Sequence, residues 1–296
     1  MRESTVLFES PLLRVRSVRC SAPAGDCGPI EWSLANTIVF PETGVFVKHL
    51  RRHVEVVADS AHALFFTANR AYRVSHPASG GDDCLVLELP PSALADAIRS
   101  VDPSASDTPN APFRFPATRL PPGVVMRRRI LRHRLVRKLA EPLEAEETAA
   151  ELVRESARVA APRGAERGVR RRDASRRVDI ARSTQVTLAA RPSVRWTLAA
   201  LAARVDCSPF HLAHVFRDVV GVSIHQYHLR ARLVAALDHV LDSERGLSEI
   251  GIDLGFTHHS HFSHAFRRAF GVTPSALRRF ATTNDSARLR KFLTAP

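Results

Sequence analysis

The chain has 296 residues, a formal net charge of +13 and 45% hydrophobic content. That length suggests about two domains, the apolar content is enough for buried cores, and the charge points to an anionic partner. No apolar run approaches the roughly 18 residues of a membrane span, the start MRESTVLFES lacks the apolar core of a secretory leader, and Cys20, Cys27, Cys84 and Cys207 contain no CxxC pair.

A reduced, cytoplasmic protein with free thiols and no cofactor is the expectation. Only Lys48, Lys138 and Lys291 among its 43 basic residues are lysine; arginine suits bidentate contacts to phosphate and guanine.

Residues 5 to about 90 read as β-rich. Short apolar or alternating runs (Val6–Phe8, Leu12–Val18, Ile30–Phe40, Val45–Val47, Val54–Val57, Leu64–Thr67, Tyr72–Val74, Cys84–Leu89) are separated by turn signals such as Pro41-Glu42-Thr43-Gly44 and Gly80-Gly81-Asp82. Such spacing suggests a sandwich or barrel. A short helix opens at Pro91-Ser92, and residues 101–123 read as a loop. Val124 to Ala140 reads as a helix, apolar on one face, with Arg127, Arg128, Arg129, Arg132, Arg134, Arg137 and Lys138 on the other. An acid-bearing helix to about Val159 pairs with it as a hairpin, or with a second subunit. The arginine-rich stretch 160–177 lacks apolar periodicity and reads as a linker.

The C-terminal part contains one pattern twice. Leu198, Leu201, Val205, Leu212, Phe216 and Gly221 recur as Leu247, Ile250, Leu254, Phe262, Phe266 and Gly271, offset by 49 residues before the central turn and 50 after it. Each copy reads as two short helices joined by a tight turn, at 197–220 and 246–270. Thr197 and Ser208 are N-cap residues, Pro209 takes a first helical position, and Gly221 is a left-handed stop. Leu212, Val215, Phe216 and Val219 are expected inward in the first copy, and Phe262, Ala265, Phe266 and Ala269 in the second. Ser223 to Gln226 has capping-box spacing and opens a helix to about Leu241, with Tyr227, Leu233, Leu237 and Leu241 inward. The second copy's cap falls at Thr257 or His258. His261 is expected half-buried.

This region, about 178–281, resembles the DNA-binding domain of the AraC/XylS regulators. The resemblance rests on Leu198-x-x-Leu201-Ala202, Ser208-Pro209-x-x-Leu212-x-x-x-Phe216-Arg217, Gly221-Val222-Ser223 and Arg232-Leu233, then on Ile250-Gly251-x-x-x-Gly255-Phe256, Phe262-x-x-x-Phe266-Arg267-Arg268 and Gly271-Val272-Thr273-Pro274. It implies two readers on a long connecting helix, each entering a major groove. The family often has Arg where this chain has His214 and His264. It usually has Ala where this chain has Gly251, at an expected helix cost of about 0.5–1 kcal/mol. Phe40-Pro41-x-x-Gly44-Val45-Phe46-Val47 and Tyr72-Arg73-Val74-Ser75-His76-Pro77 with Gly80-Gly81-Asp82 resemble the family's cupin-like sensor domain, which binds an effector or dimerises.

The expected architecture is therefore α+β and multidomain. A cupin-like barrel (1–123) is followed by a helical hairpin (124–159), a linker (160–177), an all-α DNA-binding domain with two helix-turn-helix motifs (178–281) and a basic tail (282–296). The expected function is sequence-specific transcriptional regulation, by family habit activation. Phe210, Ala213, His214, His259, Ser260, Ser263 and His264 are the candidate base contacts, and Arg217, Arg267 and Arg268 the candidate phosphate contacts. Duplex DNA, RNA polymerase, a small-molecule effector and a second copy of the chain form the expected partner set, with no membrane.

No catalytic or metal residue is assigned. His258, His261 and His264 recur every three residues, but zinc wants about four organised ligands and no cysteine is near in sequence. His49, His53, His62 and His76 lack the His-x-His pair of cupin enzymes. A cupin-type metal enzyme and a non-specific nucleic-acid binder stay open as alternatives; metal analysis and competition with random duplex separate them.

Overall fold

A computed structural model describes residues 2–21, 23–25, 28–51, 54–99, 101, 113, 115–161 and 173–281. Cys27, His53, most of the arginine-rich linker and the basic tail lie outside the described residues. The N-terminal strands are β1 (Arg2–Glu9), β2 (Arg14–Cys20), β3 (Glu31–Trp32), β4 (Thr37–Thr43), β5 (Phe46–Arg51), β6 (Val54–Ala58), β7 (His62–Phe66), β8 (Ala71–Ser75) and β9 (Asp82–Glu88). They are followed by helix α1 (Pro91–Arg99) and a short β10 (Ala117–Arg119), which lies in the stretch expected to be loop.

Two antiparallel sheets result, in the orders β1-β2-β9-β4-β7-β10 and β3-β8-β5-β6. The pleat explains why their strands read as nearly unbroken apolar runs. On β9, Cys84 and Val86 join Phe46, Ala58 and Tyr72 of the smaller sheet in one core. Leu85 and Leu87 face the other way and pack with α1 and the helices that follow. This sandwich answers to the cupin-like expectation.

The two turn signals of the sequence meet in space. Gly44 has a φ of +77°, and a Cβ placed there would lie 2.3 Å from the Gly81 carbonyl oxygen.

Lys48 of β5 is 1% exposed. Its Nζ donates to the Phe65 carbonyl at 2.7 Å and lies 3.4 Å from the Phe66 ring centroid. Burial lowers its pKa from 10.5 to about 7. Between those values the unfolded chain holds a proton that the folded chain lacks, so stability rises with pH. Denaturant unfolding at pH 7.0 and 8.5 is expected to show a gain of about 1–2 kcal/mol, at up to about 1.4 kcal/mol per pH unit. Lys48→Met should flatten that rise; an unchanged rise in the variant assigns it to another group.

The helices are α2 (Pro122–Val136), α3 (Pro142–Ala160), α4 (Asp173–Ala190), α5 (Leu198–Arg204), α6 (Pro209–Val220), α7 (Ile224–Asp242), α8 (Leu247–Asp253), α9 (His259–Phe270) and α10 (Pro274–Ala281). Among the described residues, no helix is long and apolar enough to cross a membrane.

Several expectations need correction. α2 stops at Val136, four residues short of the expected end, with Lys138 at φ +56° just beyond. Helix α4 begins at Asp173, inside the stretch expected to be linker. Much of the charged face of α2 is buried rather than solvated, with Arg137 and Lys138 just past its end left exposed. Arg128, Arg129, His133 and Arg134 are buried because α2 lies between the barrel, α3 and α7. Arg128 Nε and Arg129 Nη1 approach the two carboxylate oxygens of buried Glu42 at 2.9 and 2.6 Å, and Arg129 Nη1 also reaches Asp238 of α7 at 2.7 Å. His133 pairs with Asp242 of α7 at 2.6 Å, and Arg134 with Glu144 of α3 at 2.6 Å. The α2–α3 hairpin does form, within one chain, and α2 also carries the barrel's contact with α7.

Candidate nucleic-acid interface

Each reader is built from local signals. The Thr197 hydroxyl accepts the Ala200 N–H at 3.1 Å and starts α5; the Ser208 hydroxyl accepts the His211 N–H at 3.2 Å and starts α6. Pro209 follows Ser208 at a position where no N–H is required. Asp206 takes φ +49° in the turn between them. In the second reader His258 resolves the ambiguous cap: its Nδ1 accepts the His261 N–H at 3.2 Å. Both recognition helices stop at left-handed glycines, Gly221 at φ 79° and Gly271 at φ 78°.

Leu212, Val215 and Phe216 of α6 are buried, as are Phe262, Phe266 and Phe270 of α9. Val219 is 42% exposed, contrary to expectation. The stripe steps four residues from Phe216 to Val220, which packs on the core, and leaves Val219 outside. His261 is also exposed; its ring stands edge-on to Phe256 at 5.4 Å rather than entering the core. Gly251 is not merely a weak helix former. A Cβ there would sit 3.0 Å from Phe262 Cβ, so glycine lets α8 close on α9.

Helix α7 joins the readers. Ser223 and Gln226 complete the capping box that starts it. Phe216 of α6 meets Tyr227 near its start at 5.6 Å, while Phe262 and Phe266 of α9 share a core with Leu233 and Leu237 further along. Arg232 ties the assembly: Nε donates to the Pro192 carbonyl at 3.0 Å, Nη2 to that of Val194 at 3.1 Å, and Nη1 to that of Gly255 at 3.4 Å. One guanidinium thus clasps the entry to the first reader and the turn of the second. Its neighbour His228 donates from Nε2 to Pro192 at 2.9 Å; burial, then Arg232, lowers its pKa to about 4.

The candidate base contacts fall into two sets, one per recognition helix. On α6, Phe210 is 89% exposed, His214 is exposed and Ala213 is half-buried. On α9, His259, Ser260 and His264 are exposed and Ser263 is half-buried. Arg217, Arg267 and Arg268 are exposed on the last turns of their helices. His214 Nε2 lies 3.2 Å from Asp218, which also accepts from Arg177 at 2.6 Å. A base contact by His214 therefore competes with this carboxylate. Two features were not visible in the sequence. The hydroxyl of buried Tyr227 donates to Asp59, in the β6–β7 turn of the barrel, and Arg119 stacks 4.5 Å from the Tyr227 ring centroid. Burial pushes the Asp59 carboxyl upward, but His62, Arg119 and the Tyr227 hydroxyl together hold it below the usual range. The partners stand 168 residues apart, so no local pattern announces them.

A cavity of about 610 Å³ lies between the two sheets and opens to solvent, lined by apolar residues such as Trp32, Phe46 and Phe66 and by Arg14, Arg16 and Glu88. Among the described residues, the N-terminal histidines do not gather there. His49 bonds Glu55 at 2.9 Å and His62 bonds Asp59 at 2.8 Å, while His76 lines the cavity.

A family model described as a helix-turn-helix domain matches residues 201–279. YidL of Escherichia coli K12, described as an uncharacterized HTH-type transcriptional regulator, is 36% identical over 91 residues, 31% of this chain and 31% of that protein. The chain thus spans about three-tenths of that relative's length. The regulatory protein SoxS of Salmonella typhimurium is 35% identical over 71 residues, 24% of this chain and 66% of that protein. Among solved structures, ToxT of Vibrio cholerae aligns over 92% of this chain and 100% of its own, at 10% identity and a TM-score of 0.34. Most of both readers, with both glycine stops and the joining helix, falls on the matched segment, Thr197 and Leu198 lying just before it, so the C-terminal part of the chain carries an AraC-type helix-turn-helix domain.

Proposed function

We propose that this chain is a sequence-specific DNA-binding regulator of transcription, with α6 and α9 entering successive major grooves on one face of the duplex. The observation that carries this reading is the pair of recognition helices, each presenting an exposed polar face with arginines at its end. The 19 residues of α7 span about 28 Å, compatible with grooves about 34 Å apart. The +13 charge supports electrostatic attraction to the duplex.

The barrel cavity lies within the usual size range of small-molecule sites, about 300–1,000 Å³, and supports control by an effector. The Tyr227–Asp59 and Arg129–Asp238 contacts supply a route from sensor to readers. Activation, contact with RNA polymerase, homodimerisation and a cytoplasmic location complete the reading by family habit.

Competition binding against one promoter and random duplex tests it. Arg267→Ala is expected to weaken both similarly and reduce the salt slope by about 1. His264→Ala should relax preference at one base position, at about 1 kcal/mol. A specific site preferred by less than about 10³-fold over random duplex overturns sequence-specific regulation. Equal loss on both duplexes from His264→Ala removes that residue from the base contacts.

A further inference from the structure

Away from the readers, three side chains meet at the wall of the barrel cavity. Cys20 ends β2, His76 follows β8 and Asp82 begins β9. Their thiol sulfur, imidazole nitrogen and carboxylate oxygen all lie within 4.8 Å of one another. The β2–β9 register sets Cys20 directly opposite Asp82, and both line the cavity. His76 comes from the other side of the sandwich. Its carbonyl accepts from the Gly25 N–H at 3.0 Å, which holds its main chain, and its Nε2 stands 2.6 Å from Asp82 Oδ1. The second oxygen of Asp82 accepts from the Cys84 thiol at 3.1 Å. This bond, together with the close packing of Gly44 against Asp82, aims the carboxylate at His76 and Cys20.

We propose that Cys20, His76 and Asp82 form a three-ligand site for a thiophilic divalent cation of the zinc class, open on its fourth side to the cavity. The donor set carries the choice of ion. One sulfur, one nitrogen and one oxygen match zinc, whereas calcium and magnesium take oxygen alone. Charge carries it further. A thiolate and a carboxylate neutralise a 2+ ion and imidazole adds nothing, so the loaded site is neutral in a half-buried place where a net charge is costly. Zinc bonds of 2.0–2.3 Å in a tetrahedron separate the donor atoms by about 3.3–3.8 Å. Side-chain adjustments of about 1 Å bring these three to that spacing. The Cys84 bond to the free oxygen of Asp82 is the kind of outer contact that orients a ligating carboxylate. The fourth position takes water or a donor atom of a molecule in the cavity, as in zinc sites with three protein ligands. This site does not rest on the DNA-binding reading, and its test reads the metal alone.

The rival site is the histidine group on α9, which contains no sulfur. Cobalt(II) distinguishes the two, since a thiolate-to-cobalt absorption in the near ultraviolet requires a bound sulfur. The full chain, stripped with a chelator and kept reduced, is titrated with Co²⁺. One equivalent is expected to produce the sulfur band, and Zn²⁺ is expected to bleach it. Cys20→Ser should abolish the band, and His76→Gln should weaken cobalt binding by at least about 10-fold. His258→Ala should leave both unchanged. Far-ultraviolet circular dichroism on each variant separates loss of the site from loss of the fold. Absence of a sulfur band in the wild-type protein at one equivalent overturns the proposal whatever the variants do, as does a band that survives Cys20→Ser.

Discussion

Glu42→Gln is expected to cost about 3–5 kcal/mol of folding stability, because it leaves buried arginine charge without its counter-ion. Glu42 is 2% exposed, Arg128 0% and Arg129 2%. Arg128 depends on Glu42 most. Burial lowers its pKa to about 10 in spite of the carboxylate's opposing pull, whereas Arg129 keeps Asp238 as a second partner. Folded domains have only about 5–15 kcal/mol of net stability, so this isosteric change removes a large share. Urea unfolding followed by circular dichroism measures it. A loss below about 1 kcal/mol would mean that water or another acid takes over. Pairing Glu42→Met with Arg128→Met should recover much of the loss, since exchanging a buried ion pair for apolar groups is often neutral.

The second large effect is at Gly44, where alanine meets two obstacles. A side chain at φ +77° carries a left-handed penalty of about 1–2 kcal/mol. Its Cβ would also lie 2.3 Å from the Gly81 carbonyl oxygen, a backbone atom with no rotamer to escape into. A total loss of about 3–4 kcal/mol is expected, or a fall in Tm of about 6–15 °C for a unit of 150–250 residues. Gly271→Ala provides the contrast. Its φ of +78° is nearly the same, but nothing lies within 4 Å of the added Cβ, so only the conformational penalty applies. Equal shifts for the two variants would refute the steric part of the argument.

The DNA-reading half was legible because its determinants are local. Caps, glycine stops and apolar stripes with period 3.6 involve residues a few positions apart, so Ser208, Gly221, Phe262 and Phe266 announce their roles. The same pattern marked Phe210, His214 and His264 as outward. His258 as an N-cap was harder to see, since imidazole is not among the favoured capping groups. The N-terminal half hid what depends on distant partners. A run of arginines reads as a solvated face until Glu42 arrives, 87 residues before Arg129. β10 has three residues and is strand only because β7 offers it an edge. Cys20 and Asp82 are neighbours by register, which no spacing in the chain reveals.

The two readers are unequal in what they are anchored to. The apolar interior changes owner partway along α7, not at the arginine-rich linker. Tyr227 belongs to the small core of α4, α5 and α6. Leu233, Leu237 and Leu241 belong to the large core that runs without a break from the barrel through α2 and α3 to Phe262 and Phe266. The second reader thus shares one core with the N-terminal barrel, and the first packs on a smaller core and is tied to the barrel by contacts such as Tyr227 to Asp59. Cooperative units of unfolding follow cores rather than sequence boundaries. An excised 178–281 fragment would lose the surface that covers half of its connecting helix. The boundary between the two cores therefore falls within α7 itself, one reader packed on each side of it.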